Sequence, residues 1–166
     1  MTAKILITDD ERSIREGLDK VLRKEGYDVD LAENGQVAIE KISHKHIDLL
    51  LLDVGLPFKD GWTTMEWLSQ FNPLLPVIII TGRWKQTERA ETSGADLLME
   101  KPLDVARLLQ NIRQLLAEPI EIRAKRINEH KRGFQSVACD LRQFRSNLEN
   151  RFTTPFKWFG FKLKHS

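Results

Sequence analysis

Five polar residues in this chain follow apolar runs closely enough to do chemistry together. Asp9 and Asp10 come directly after Lys4-Ile-Leu-Ile-Thr8, Asp53 after Asp48-Leu-Leu-Leu-Leu52, Thr81 after Pro76-Val-Ile-Ile-Ile80, and Lys101 after Asp96-Leu-Leu-Met99 and Glu100. Three carboxylates brought together repel one another, and a divalent cation relieves that repulsion. Magnesium is hard, takes oxygen ligands and keeps several waters. A carboxylate kept ionised in this way can act as a nucleophile. Asp53 is the candidate nucleophile, because it ends the most apolar strand with no acidic neighbour close in sequence. Lys101 would neutralise charge on a phosphoryl oxygen as a compact, long-reach cation, and the Thr81 hydroxyl would donate to another. Such a cradle suits phosphoryl transfer, in which positioning and charge stabilisation supply most of the catalysis.

The elements that must position these groups follow from the apolar pattern. Leu49 to Leu52 show no polar alternation, so their strand is buried on both faces. Strands are predicted at Lys4–Thr8, Tyr27–Leu31, Asp48–Leu52, Pro76–Ile80 and Asp96–Met99. Helices are predicted between and after them, with apolar spacing at Ile14, Leu18, Val21 and Leu22, at Val37 to Ile42, over Gly61–Phe71, over Arg83–Thr92, and from Leu103 to Leu116. Alternating strands and helices predict an α/β fold with a parallel sheet and helices on both faces. Ligands of such sheets bind at the carboxyl ends of the strands, near the switch point of strand order. All five polar residues fall at that edge.

Charge divides the chain. Residues 1–119 carry 15 Lys+Arg against 20 Asp+Glu, a net −5, and residues 120–166 carry 11 against 4, a net +7. The expected organisation is a domain over 1–119 and a basic helical extension over 120–166. No run approaches the roughly 20 apolar residues of a membrane span, and the N-terminus lacks a signal-peptide layout. Cys139 is the only cysteine, which leaves no disulfide framework and makes a reducing cytoplasm the expected location.

From about Ala3 to Ala117 the chain resembles a response-regulator receiver domain, the phosphoacceptor half of a two-component pathway. The matching pieces are Asp9-Asp10-Glu11, Asp53 with Leu56-Pro57 and Asp60-Gly61, Thr81-Gly82, and Lys101-Pro102. The resemblance implies a flavodoxin-like five-stranded sheet of order 2-1-3-4-5, doubly wound. It implies that Asp53 accepts a phosphoryl group from a histidine kinase or phosphotransfer protein. Asp10 would bind Mg2+ directly and Asp9 through water, and Gly55 would offer its carbonyl. Thr81 would move toward the phosphoryl group, Lys101 would pair with it, and the Lys101–Pro102 peptide would be cis. The implied protein is a switch that changes partner binding, not an enzyme turning over an external substrate. Its chemistry would be confined to its own phosphorylation and dephosphorylation.

One position departs from the pattern. The family often has an aromatic switch residue three before the lysine, and this chain has Leu98. Gly55 and Arg83 stand where family side chains tune dephosphorylation, and together they suggest a long-lived phosphoryl group.

Other readings stand beside this one. Asp10 is also a candidate N-cap of the first helix. Haloacid-dehalogenase-type phosphatases use a strand-end Asp too, but carry a second Asp two residues on, where this chain has Gly55. A pseudo-receiver would keep the fold without phosphorylation. His44 and His46 are two residues apart, so on a helix they point apart, and a solvated helix end explains them better than a metal site.

In the extension, Ile120, Ile127, Phe134, Leu141 and Leu148 form a heptad that suits pairing with another helix, as in a homodimer, or equally folding back on the 1–119 domain. Arg123 and His130 interrupt it. The tail joins Phe152, Phe156, Trp158, Phe159 and Phe161 to Lys157, Lys162 and Lys164. Packing on the extension or across a dimer, or docking to a downstream protein partner, is the first expectation, a membrane surface the second, and nucleic acid the third. The alternative role is a transcription regulator whose basic extension binds DNA as a dimer.

Overall fold

The computed structural model describes residues 2–56, 61–82 and 93–132. Five parallel strands form one sheet: β1 Lys4–Thr8, β2 Asp28–Ala32, β3 Leu49–Asp53, β4 Val77–Thr81 and β5 Leu97–Glu100. Their spatial order is β2-β1-β3-β4-β5, the expected doubly wound order. The described helices are α1 Arg12–Lys24, α2 Gly35–His44, α3 Gly61–Phe71, α4 Val105–Ala117 and α5 Ile120–Arg132. The helix expected over Arg83–Thr92 lies outside the described residues, as do the heptad from Phe134 onward and the aromatic tail.

Residue alternation explains the two-sided burial of β3. Leu49 and Leu51 join Ile5, Ile7, Ile78 and Ile80 against α1 and α4, with Leu18, Leu22, Leu108 and Ile112 from those helices. Leu50 and Leu52 join Leu6, Val77 and Ile79 against α2 and α3, with Ala38, Ile42, Met65 and Leu68. Leu49 to Leu52 are each 0% exposed. Truncating one to alanine would therefore cost about 2–5 kcal/mol.

Local signals set the helix ends. Gly26, at φ 88°, reverses the chain after α1 in the left-handed conformation that glycine adopts without a Cβ penalty. Asn34 caps α2 by accepting from the Val37 N–H at 2.9 Å, and Asp104 caps α4 by accepting from the Arg107 N–H at 3.1 Å. Asp10 is not the cap of α1: the residue at the N-cap is Glu11, whose side chain makes no cap bond.

The chain divides into two compact units, Met1–Ile127 and Asn128–Ser166. The break between α4 and α5 falls at Glu118-Pro119, and the first unit continues through Ile127. Arg123 holds this part of α5 in place. It interrupts the apolar heptad in sequence, yet it is 3% exposed while Ile120 is 58% exposed. Its Nε donates to the Leu74 carbonyl at 2.8 Å and its Nη2 to the Leu75 carbonyl at 2.9 Å. Nη1 and Nη2 each meet one Asp96 oxygen at 2.6 Å. Asp96 also accepts from the Val77 N–H at 2.7 Å and from Arg126 at 2.8 Å. A buried arginine is tolerable only when its charge and its donors are both met. Here a buried carboxylate and two carbonyls meet them, at the amino ends of β4 and β5.

Candidate functional site

Strand register brings the expected residues to one edge. Asp53 is the last residue of β3 and pairs with Ile80, and Thr81 is the last of β4 and pairs with Glu100. Both lie inside their strands, one residue later than the apolar runs suggest. The Lys101 N–H donates to the Thr81 carbonyl at 2.8 Å, and the Lys101–Pro102 peptide is cis. On the other side of β3, Thr8 pairs with Leu52, so Asp9 and Asp10 leave β1 next to Asp53.

The Lys101 ammonium is the centre of the arrangement. It donates to Asp9 Oδ2 at 2.8 Å and to Asp53 Oδ2 at 2.7 Å, with Glu11 Oε1 at 3.9 Å. The second oxygen of each aspartate is held by backbone: Asp9 Oδ1 accepts from the Glu11 N–H at 2.8 Å, and Asp53 Oδ1 from the Gly55 N–H at 2.6 Å. Asp9 and Asp53 are 1% and 5% exposed. Asp10 is exposed, and its carboxylate makes no hydrogen bond or ion pair among the described residues. Oxygens of Asp9, Asp10 and Asp53 all lie within 4.8 Å of one another.

Electrostatics follow from this packing. Burial pushes the Asp9 carboxyl above the ordinary aspartate range, while Lys101 and the Glu11 N–H pull it down without cancelling the effect. The same burial pulls Lys101 down, but its contacts with Asp53 and Asp9 outweigh it and raise the ammonium above its usual value. Around this one ammonium stand the carboxylates of Asp9, Asp10, Glu11 and Asp53, an excess of negative charge that a hard dication offsets. The donor set is all oxygen, one ligand is free of other bonds, and the spacing is compatible with a shared ion. The residues therefore fit Mg2+.

Two glycines shape the connection after β3. A Cβ on Gly55 would lie 3.1 Å from Asp53 Oδ1, against the carboxylate itself. A Cβ on Gly61 would lie 2.5 Å from the Asp53 carbonyl oxygen and 2.6 Å from Val54 Cα, so α3 begins against the backbone that carries Asp53. Leu98, where an aromatic is frequent in the resemblance, is half-buried against the α2 and α3 side of the core. Pro57, Asp60 and Arg83 lie outside the described residues.

His44 and His46 take no part in the site. The His44 ring contacts the Glu40 carbonyl at 2.8 Å and His46 contacts Asp48 at 2.8 Å. Among the described residues no helix is long and apolar enough to cross a membrane. Sequence reasoning missed Arg15 on α1, whose Nη1 donates to the Asp9 and Asp10 carbonyls at 2.6 and 2.9 Å. Its signal was a cation in the first helical turn beside two aspartates, which reads as an ordinary surface arginine.

Comparison with known proteins shows the family and the fold. Residues 5–113 match the family described as response regulator receiver domain. A curated relative, response regulator MprA of Mycobacterium ulcerans, is 37% identical over 118 residues, covering 70% of this chain and 51% of the relative. The chain thus spans about half the length of the curated relatives it matches. A receiver domain protein (CheY-like) from Methanospirillum hungatei superposes with a TM-score of 0.67 at 27% identity, covering 76% of this chain and 99% of the other. Response regulator TrrA from Thermotoga maritima, solved in complex with Mg2+-BeF, gives a TM-score of 0.65 at 29% identity, over 69% of this chain and 99% of TrrA.

Proposed function

This chain belongs to the response regulator receiver family of two-component systems, and from that premise we propose that Asp53 is a phosphoacceptor whose modification switches partner binding. The observation that carries the reading is the Lys101 ammonium, which holds Asp53 and Asp9 together at 2.7 and 2.8 Å beside the free Asp10 carboxylate. A surface lysine has no reason to sit between two buried carboxylates, whereas a lysine that pairs with a phosphoryl group does.

The donor is a phosphohistidine on a kinase or phosphotransfer protein. An Asp53 carboxylate oxygen attacks phosphorus, a P–O bond forms, the P–N bond breaks, and the imidazole nitrogen keeps the bonding pair and takes a proton from solvent. Asp10, Asp53 and the Gly55 carbonyl would hold Mg2+, with Asp9 acting through water. When bound, the ion neutralises charge on the transferring group. Lys101 remains charged and turns from carboxylate to phosphoryl oxygen, and the Thr81 hydroxyl donates to another oxygen. TrrA, a receiver relative bound to Mg2+ and BeF, supports the metal assignment by analogy. In this reading the chain is a stoichiometric acceptor and not an enzyme acting on an external substrate.

The test is intact-protein mass spectrometry after incubation with a small phosphodonor, with and without Mg2+, alongside Asp53→Asn. One phosphoryl adduct that requires Mg2+ and disappears in Asp53→Asn is the expected result. No adduct on a folded wild-type chain would overturn the reading and leave a receiver fold without its chemistry.

A further inference from the structure

Asp10 is the one aspartate of the cluster that no side chain or N–H steers through its carboxylate. Lys101 and a backbone N–H fix both oxygens of Asp9 and of Asp53. The region the Asp10 carboxylate can reach is therefore set by where the Asp10 backbone places its Cα–Cβ bond. Arg15 holds that backbone. A single atom, Nη1, reaches the Asp9 carbonyl at 2.6 Å and the Asp10 carbonyl at 2.9 Å, bracing both residues of the β1–α1 connection from one side.

Helix stability does not account for a cation here. A positive charge near a helix N-terminus opposes the macrodipole. The first turn of α1 has no acidic residue, and its N-cap side chain makes no cap bond. The two carbonyls do account for it, because charge-assisted hydrogen bonds are the stronger class.

We propose that Arg15 is a positioning residue of the metal site. By fixing the Asp9 and Asp10 carbonyls it holds the backbone that carries the Asp10 carboxylate beside Asp53 before any ion arrives. Arg15 itself touches neither the ion nor the phosphoryl group. The inference rests on the metal reading given above. Its effect is preorganisation: without the brace, ordering the Asp10 backbone must be met at the moment of binding, and affinity falls. Residues that orient metal ligands from behind typically contribute about 10–100-fold in affinity.

The experiment is a double-mutant cycle on the full chain, with Mn2+ as the probe because water-proton relaxation reports even weak binding. Wild type, Arg15→Met, Asp10→Asn and the double variant are titrated, with circular dichroism on each. Arg15→Gln replaces Arg15→Met if the latter does not fold. The expected results are about tenfold or weaker binding for Arg15→Met, and less than about a twofold further loss when the same change is made in Asp10→Asn, since the two act as one unit. Wild-type affinity in Arg15→Met, or losses that multiply in the double variant, would overturn the proposal while leaving the metal site in place. Wild type that binds no Mn2+ would refute the metal reading itself, and the proposal with it.

Discussion

Replacing Gly61 with alanine sets two effects of opposite sign against each other. Alanine in place of glycine favours a helix by up to about 1 kcal/mol, and Gly61 is the first residue of α3. The new Cβ, however, would lie 2.5 Å from the Asp53 carbonyl oxygen, 2.6 Å from Val54 Cα and 3.0 Å from Val54 Cγ1. Ordinary contact begins near about 3.4 Å, so roughly 0.9 Å must be opened between α3 and the end of β3. The two nearest atoms are backbone, which no rotamer change can move. Overpacking of this kind costs about 1–3 kcal/mol; with both nearest atoms on the backbone the upper part of that range applies, and less the helix gain Gly61→Ala is destabilised by up to about 2 kcal/mol. The displacement also falls on Asp53. Its bond to Lys101 is 2.7 Å, and lengthening it by the same amount takes it beyond hydrogen-bond range, about 3.5 Å. Misplacing a reacting group by about 1 Å costs on the order of 10²-fold in rate. Thermal unfolding and the rate of labelling by a small phosphodonor report the two consequences separately. A Gly61→Ala chain at least as stable as wild type and labelled at the same rate would refute the reasoning.

Arg123→Met leaves Asp96 buried with only Arg126 and the Val77 N–H. The expected loss is about 3 kcal/mol, the lower end for breaking a buried pair, seen as a fall in Tm of roughly 10 °C for a unit of this size. A change below about 0.5 kcal/mol, the range of surface substitutions, would mean that the cluster contributes nothing. Burial raises the folded-state pKa of Asp9, so the folded chain binds that proton more tightly than the unfolded chain. Stability is therefore lost as pH rises from the unfolded value through the folded one. A cation that needs the ionised carboxylate should raise Tm more at pH 8 than at pH 4, and Mg2+ stabilisation independent of pH would contradict this. The raised Lys101 value acts in the same direction in an alkaline window: its contribution is present below its unfolded pKa and lost as pH climbs through the folded one, so alkaline titration of Lys101→Met should be flatter than that of wild type. Asp104→Ala removes the α4 cap and should cost about 1 kcal/mol by chemical denaturation, and an unchanged midpoint would show the cap to be idle.

The sequence was most legible where one physical cause acted alone. Leu49 to Leu52 admit only a strand buried on both faces, and the order of strands and helices then fixes the edge to which Asp9, Asp53, Thr81 and Lys101 are carried. Strands β2 to β5 each end one residue later than expected; at β3 and β4 the extra residues are Asp53 and Thr81, polar yet buried and continuing the ladder, so burial at that edge overrides the apolar cue. Arg123 was misread for a related reason. In a heptad, arginine marks a break in the seam, and its compensating partner Asp96 lies 27 residues earlier. Nothing local announces a charge pair closed by the fold. Arg15 was hidden likewise, since its acceptors are main-chain carbonyls, which no residue type encodes.

The Arg123 cluster also bears on where this receiver can be cut and joined. Receivers are natural candidates for exchange between proteins, and the obvious seam is Pro119, where α4 ends and composition turns basic. Cutting there would send Asp96 to the recipient without its guanidinium. It would also leave Arg123 behind, where it must be buried unpaired or drawn out into water. A graft made after Ile127 keeps both halves of the pair in one piece, so the first eight residues of the basic extension travel with the domain as part of its fold.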